Sequence, residues 1–254
     1  MSDPSIQVSI LGGLGNQLFQ ILAMLEISNS QNIPYYISNE DKESSSIFKN
    51  RSTYWDTIFK KLTFTKKENI PKPLCEIREG NSNIFINFDP IICPTILQGY
   101  FQCSKYFSKD TFKKFITYTN DETDEIWGHL QQQKTSKQSK NIFIHVRRGD
   151  YMLLQHFHIV LTIEWYKKAL QNFSEDYTFF IFSEDIEWCK QNFEFLKNKF
   201  YISDKDYNEL FLMGKCDGGI ISASSFSWFG AYIASLDNPD CKIICPDIWF
   251  KDYI

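Results

Sequence analysis

The sequence predicts an α/β protein built on a doubly wound parallel sheet. Short apolar runs alternate with segments whose apolar residues fall at helical spacing, and turns rich in glycine or hydroxyl groups follow several of the runs. Hydrophobic residues make up 43% and charged residues 23% of 254 positions, which argues for a folded globular chain large enough to bury a core without staples.

Ile6 to Leu11 reads as a buried strand, Gly12 to Gly15 as a turn, and Gln17 to Ile27 as a helix with Leu18, Ile21, Leu22 and Leu25 on one face. Ile33 to Ile37 supplies the next strand, completing the opening of a parallel unit. From about residue 40 to 130 aromatic pieces alternate with Lys and Asn, and Pro71, Pro73, Pro90 and Pro94 interrupt long elements, so only mixed structure is expected there. The polar stretch 131–140, QQQKTSKQSK, reads as a linker and sets two halves, 1–135 and 136–254. Beyond it the alternation is regular. Strands are expected at Ile142 to Val146, Tyr177 to Phe182, Phe200 to Ser203, Gly219 to Ser222 and Lys242 to Cys245. Helices are expected around Tyr166 to Phe173, from Ile186, over Asn208 to Lys215 and over Phe226 to Ser235. Ligands on such sheets bind beyond the carboxyl ends of the strands, so the residues after each strand are the place to seek chemistry.

A net charge of −4 argues against a nucleic-acid binder, which needs a broad excess of Lys and Arg, and any anion site must be local. Seven scattered cysteines without a C-x-x-C pair point to free thiols rather than a disulfide framework or zinc finger. The start lacks a positive leader region and no apolar stretch reaches the length of a membrane span, so a cytoplasmic protein without an integral membrane segment is expected.

Four turns carry candidate chemistry. Gly12-Gly13-Leu14-Gly15-Asn16-Gln17 lies between a strand and a helix, where Gly13 and Gly15 let backbone approach a diphosphate. It lacks the Lys-Ser/Thr ending of a Walker loop and the third glycine of the dinucleotide fingerprint, and a tight turn alone explains it equally well. His145-Val146-Arg147-Arg148-Gly149-Asp150 ends the strongest strand. The two-residue period puts His145 and Arg147 on one face, and Gly149 lets Asp150 fold back. A guanidinium fork matches phosphate oxygens, although His145 read alone is also a core histidine, and Arg148 with Asp150 a surface pair. Ser224, Ser225 and Ser227 cluster with Phe226 at a helix start, suited to capping or to a bound phosphate. Ser183 and Asp185 end another strand, where Asp185 suits a helix N-terminus or a nucleoside hydroxyl or base edge. A rival is Asp204-Lys205-Asp206, a D-x-D pair that could hold a divalent metal.

The segments GGLGNQLFQ (Gly12 to Gln20), FIHVRRGDY (Phe143 to Tyr151), FSEDIEW (Phe182 to Trp188) and Leu212 to Tyr232 resemble, in order, the motifs of the α-1,2-fucosyltransferases. The resemblance runs from near the start to about residue 236, loosely in the middle third. It implies a GT-B-like α/β fold of two facing Rossmann-like halves with parallel sheets, the first half on the acceptor side and the second holding the nucleotide. The implied activity is an inverting, metal-independent transfer of L-fucose from GDP-fucose to a glycan hydroxyl, forming an α-1,2 linkage to galactose or a similar sugar. No cofactor is implied, and the partners are a nucleotide-sugar donor and a glycan acceptor. By matching position Arg147 meets the β-phosphate, Ser224, Ser225 and Ser227 lie near the phosphates, and Asn16 closes over the fucose end. Gly218, Ala223 and Phe229 depart from the usual His, Asn and Trp of the family.

The departing GDP gains negative charge in transfer, so a fixed cation on its β-phosphate is the largest expected help, and Arg147 is assigned that role. Asp150 is the first candidate for a base on the acceptor hydroxyl, with His145 second. The donor-contacting set is then Gly13, Gly15, His145, Arg147, Arg148, Ser183, Asp185, Ser224, Ser225, Phe226 and Ser227. Two other functions fit the same residues: a GDP-sugar or glycan binding module without turnover, and a metal-dependent glycosyltransferase using Asp204 and Asp206.

Overall fold

In the computed structural model, which describes residues 3–40, 54–80 and 85–251, the apolar runs become strands of two separate parallel sheets. The chain divides into two compact units, Met1–Thr117 and Tyr118–Ile254.

In the first unit β1 (Ser5–Val8), α1 (Leu14–Gln31) and β2 (Tyr35–Tyr36) form the opening, followed by β3 (Cys75–Arg78), β4 (Pro94–Gln98) and α2 (Lys109–Phe115). The sheet order is β2-β1-β4-β3, with Ile6 of β1 level with Tyr35 on one side and Thr95 on the other. Helix α1 buries more than a single face: Leu18, Ile21, Leu22, Ala23, Met24 and Leu25 are all fully enclosed. A helix apolar all round belongs inside a core, and each large side chain so buried contributes about 1.5–3 kcal/mol relative to exposure. It starts behind Gly13 and stops at Asn32, whose φ of 51° is a left-handed cap; the Asn32 N–H donates to the Ser28 carbonyl.

The second unit contains α3 (Asp121–Gln133), β5 (Asn141–Val146), α4 (Ile163–Leu170), β6 (Thr178–Ser183), α5 (Ile186–Asn192), β7 (Lys199–Ile202), α6 (Asp206–Gly214), β8 (Gly218–Ile220), α7 (Ser225–Ser235) and β9 (Lys242–Ile244). The sheet order is β7-β6-β5-β8-β9, all parallel. The chain lays down β5, β6 and β7 in one direction and then returns to place β8 on the other side of β5. Such a reversal opens a crevice between the connections that leave β5 and β8. The first unit repeats the logic, with its reversal between β1 and β4.

Two expectations need correction. The division falls at 117/118, not at 135/136, because α3 is fastened to the second unit. Thr123 Oγ1 donates to Asn208 Oδ1 at 3.0 Å, Trp127 packs on Phe180 at 5.2 Å between centroids, and Lys215 pairs with Asp124 at 2.5 Å. The polar stretch after it is no free linker. Its first three residues finish α3, and buried Lys134 donates to the Ser139 carbonyl and to Asn141 Oδ1, both at 2.7 Å. The region from 40 to 130 holds more regular structure than the prolines suggest. Pro94 opens β4, a position that needs no N–H from it. Residues 41–53 and 81–84 of that region lie outside the described residues. No helix among the described residues is long and apolar enough to cross a membrane.

Candidate functional site

Strand β5 is buried from Ile142 to Val146, so the chain leaves the core only at Arg147, as a strand closing on a crevice must. His145 sits two residues earlier, 3% exposed, with Nδ1 2.7 Å from the Ser222 hydroxyl beyond β8 and its ring 5.4 Å from Phe226. Tyr151 makes a second bridge: its hydroxyl donates to the Ala223 carbonyl at 3.2 Å. The segments after β5 and β8, which the sequence treats as separate motifs, are thus laced together at the strand-order reversal.

Burial first, and the positive charge of Arg147 second, push the pKa of His145 down to about 3. The imidazole is neutral at working pH, buried, and hydrogen-bonded to Ser222. A sign follows. Between about pH 6.5 and 3 the unfolded chain takes up a proton that the folded His145 refuses, so this residue's contribution is full above 6.5 and lost as pH falls. Replacing His145 with Asn, which keeps a polar atom toward Ser222, should flatten the acid side of a melting-temperature profile relative to the parent. Glu209, pushed up to about 7 mainly by burial, acts in the opposite sense and is common to both chains.

Arg147 does not stand free. One terminal nitrogen donates to Asp150 at 2.5 Å, the other lies 3.2 Å from Glu184, and the guanidinium rests 5.0 Å from the Tyr151 ring centre. Its Nε is buried without a hydrogen-bond partner among the described residues. Arg148, for which a surface pair with Asp150 is the alternative reading, pairs with Asp185 at 2.9 Å and lies 4.3 Å above the Trp188 ring. Strand alternation explains the split: neighbours at a strand end leave opposite faces. A Cβ at Gly149 would meet Glu184 Oε1 at 2.5 Å, so any side chain there would displace the Glu184 carboxylate from its place beside Arg147.

Asp185 spends its other oxygen capping α5, accepting from the Trp188 N–H at 3.2 Å, while the buried Ser183 hydroxyl accepts from the Asp185 N–H. Among the serines, Ser227 turns inward: it is fully buried and donates to the carbonyls of Ser222 and Ser224. Ser224 is the N-cap of α7 yet makes no side-chain capping bond, and Ser225 and Phe226 are half-exposed. The first turn of α7 carries no acid. Among the α-helices of the described residues only α1 shares that property, and these two follow the strands at the strand-order reversals. An acid-free helix start keeps its positive end and unpaired N–H groups available to an anion.

In the first unit, Gly12 takes a φ of 79°, and a Cβ there would collide with the Asn16 side chain. Asn16 Oδ1 accepts from Gln102 Nε2 at 2.7 Å, Gln20 Nε2 donates to the Gly99 carbonyl at 3.0 Å, and buried Glu79 accepts the N–H groups of Tyr100 and Phe101, both at 2.7 Å. Gly13 caps α1 and Gly15 is buried inside it. Sequence reasoning missed Gln20, Glu79, Gln102, Ser222, Tyr151 and Glu184 as site components; Gln20, Tyr151, Ser222 and Glu184 stand within the quoted motifs, whereas Glu79 and Gln102 carry no local signal. The D-x-D acids are exposed, and Asp204 Oδ1 accepts from the Lys205 N–H and Asn208 Nδ2 at 2.6 and 2.9 Å.

Parallel sheets with reversed strand order and these crevices define a GT-B-like α/β protein made of Rossmann-like units. The profile of "Glycosyl transferase family 11" matches residues 89–247, well over half the chain, and the chain belongs to that family. Two relatives come from Escherichia coli. The O-antigen biosynthesis glycosyltransferase WbnK is 30% identical over 132 residues, covering 48% of this chain and 43% of its own length. The alpha-1,2-colitosyltransferase is 30% identical over 171 residues, covering 60% and 55%. The chain therefore spans about half the length of the curated relatives it matches. Among solved structures, the fucosyltransferase NodZ from Bradyrhizobium is 11% identical with a TM-score of 0.55, over 92% of this chain and 94% of its own. POFUT1 in complex with GDP-fucose is also 11% identical, with a TM-score of 0.56 over 98% and 100%.

Proposed function

We propose that the protein transfers L-fucose, or a closely similar sugar, from a GDP-linked donor to a glycan hydroxyl, with an α-1,2 linkage to galactose as the leading product. The observation that carries this reading is the pairing, at the β5/β8 reversal, of Arg147 on one segment with the acid-free first turn of α7 on the other. The first supplies a guanidinium with an unpartnered Nε and the second a row of helix N–H groups, together a match for a diphosphate. Asp150 and Glu184 hold Arg147 in place before the donor arrives. In transfer the guanidinium stabilises the charge growing on the leaving diphosphate, and Asp150 is the group beside it with the chemistry of a base. Ser225 and the backbone of Ser224 and Phe226 are the α7 contacts of choice, with Ser227 shaping the turn from within. Arg148, Asp185 and Trp188 form the neighbouring wall, fit for a nucleoside. On the first unit, Asn16 is assigned to the sugar end of the donor, a role that rests on the motif resemblance.

The fucosyltransferase structures obtained with GDP-fucose support a GDP-linked donor, and the colitosyltransferase among the relatives makes the donor sugar the point to test. Melting temperatures measured with GDP-fucose, GDP-mannose, nucleotide-activated colitose, UDP-galactose and UDP-GlcNAc should rise selectively with the guanine nucleotides, since a ligand bound only to the native state stabilises it. Product analysis with a galactoside acceptor completes the test. Stabilisation by the UDP sugars alone would overturn the donor class, and binding without GDP release would mark a binding module. Turnover abolished by a strong chelator would favour the Asp204/Asp206 reading.

A further inference from the structure

At the starting ends of β3 and β4, away from the carboxyl-end crevices, the sulfurs of Cys75 and Cys93 lie 2.9 Å apart. The fold puts them there. Cys75 is the first residue of β3 and Cys93 immediately precedes β4; the strands are parallel, Cys75 is level with Thr95, and the Leu74 N–H donates to the Pro94 carbonyl at 2.7 Å. Thr95 fixes the approach to β4 by donating its hydroxyl to the Cys93 carbonyl at 2.9 Å. Both thiols are free, Cys75 exposed and Cys93 half-buried, and both line a cleft of about 270 Å³ with Ile77, Phe88, Pro90 and Ile92 among its walls. A sulfur–sulfur bond is about 2.05 Å long, so closure asks for a movement of roughly 0.9 Å. By contrast, Cys189 and Cys216 are buried.

We propose that Cys75 and Cys93 form a redox-modification site, a dithiol that a small-molecule disulfide converts into an intramolecular bridge. Exposed Cys75 attacks the incoming disulfide as its thiolate, its proton passing to solvent; a mixed disulfide forms and one small thiol leaves. Cys93 then loses its proton and attacks the Cys75 sulfur, expelling the second small thiol. Two protein thiols are oxidised, one external disulfide is reduced to two thiols, and atoms and electrons balance. Because β3 is the edge strand of its sheet, the bridge staples that edge to β4 and closes the 75–93 connection. A loop of that length restricts the unfolded chain enough to raise the melting temperature by roughly 5–10 °C.

The test is equilibration of the native chain with oxidised glutathione, followed by alkylation, intact mass and non-reducing peptide mapping. The expected result is a chain about two mass units lighter before alkylation and carrying two fewer alkyl groups than the reduced control after it, with the bridge mapped to Cys75–Cys93. Cys75→Ser and Cys93→Ser should each remove the bridge and leave a glutathione adduct on the remaining cysteine of the pair. Exposure of Cys75 makes its serine variant tolerable to the fold, which circular dichroism checks. A bridge mapped to other cysteines, or glutathione on both Cys75 and Cys93 with no bridge, overturns the proposal.

Discussion

Arg147→Ala should lower the turnover of sugar transfer on the order of a hundredfold to a thousandfold, the usual effect of removing one preorganised donor from a developing anion. Initial rates of GDP release at saturating donor measure it, with circular dichroism confirming the fold. The structure adds a second expectation. Arg147 sits between Asp150 and Glu184, so its loss leaves two carboxylates facing each other without their shared cation. The variant should therefore also bind nucleotide diphosphates less tightly, by direct repulsion. Arg147→Lys should recover little, because one ammonium cannot reach both carboxylates and present a planar fork to phosphate. Near-parental turnover in a folded Arg147→Ala chain would remove the residue from the mechanism.

Gly219→Ala should be the most damaging single methyl in the second unit. Gly219 is level with Phe143 on the adjacent strand, both are buried, and a Cβ at 219 would be driven into the Phe143 ring. Neither strand can yield without disturbing the β5/β8 pairing that sets the crevice. Overpacking of this kind costs about 3 kcal/mol, a fall of roughly 6–12 °C in melting temperature. Trimming the ring in the double variant Phe143→Leu/Gly219→Ala should return part of that loss, a coupling that a thermal double-mutant cycle reads directly. Additive losses would mean that the ring is not what forbids the methyl.

The architecture of the second unit is legible in the sequence because its central strands are buried on both faces and read as unbroken apolar runs, such as Ile142 to Val146. Strands β3 and β4 are not, and the reason is local. β3 is an edge strand whose Cys75, Glu76 and Arg78 face solvent, so it lacks any apolar period, and β4 begins on a proline. The position of Arg147 at the strand end follows from the two-residue period. Its partners do not, since Glu184 reaches it only because β5 and β6 are neighbours. The serine cluster shows the same limit: a hydroxyl count cannot distinguish Ser225 at the surface from Ser227 tied into its own turn. Gln102 lies 86 residues from Asn16, and only the adjacency of β1 and β4 brings them together.

The glycine turn after β1 is held from several directions: Gln17 donates to the Gly12 carbonyl, the Leu11 N–H donates to Gln20, and Asn16 is gripped by Gln102. Behind it stands a helix sunk in the core along most of its length. Such a turn has surrendered its freedom during folding, so under the role proposed for Asn16 a donor sugar would meet amides already in position and owe little ordering entropy for them. On that proposal, selectivity at this end would come from the outline of a preset mould, in which a missing or inverted hydroxyl leaves a fixed polar group without its partner.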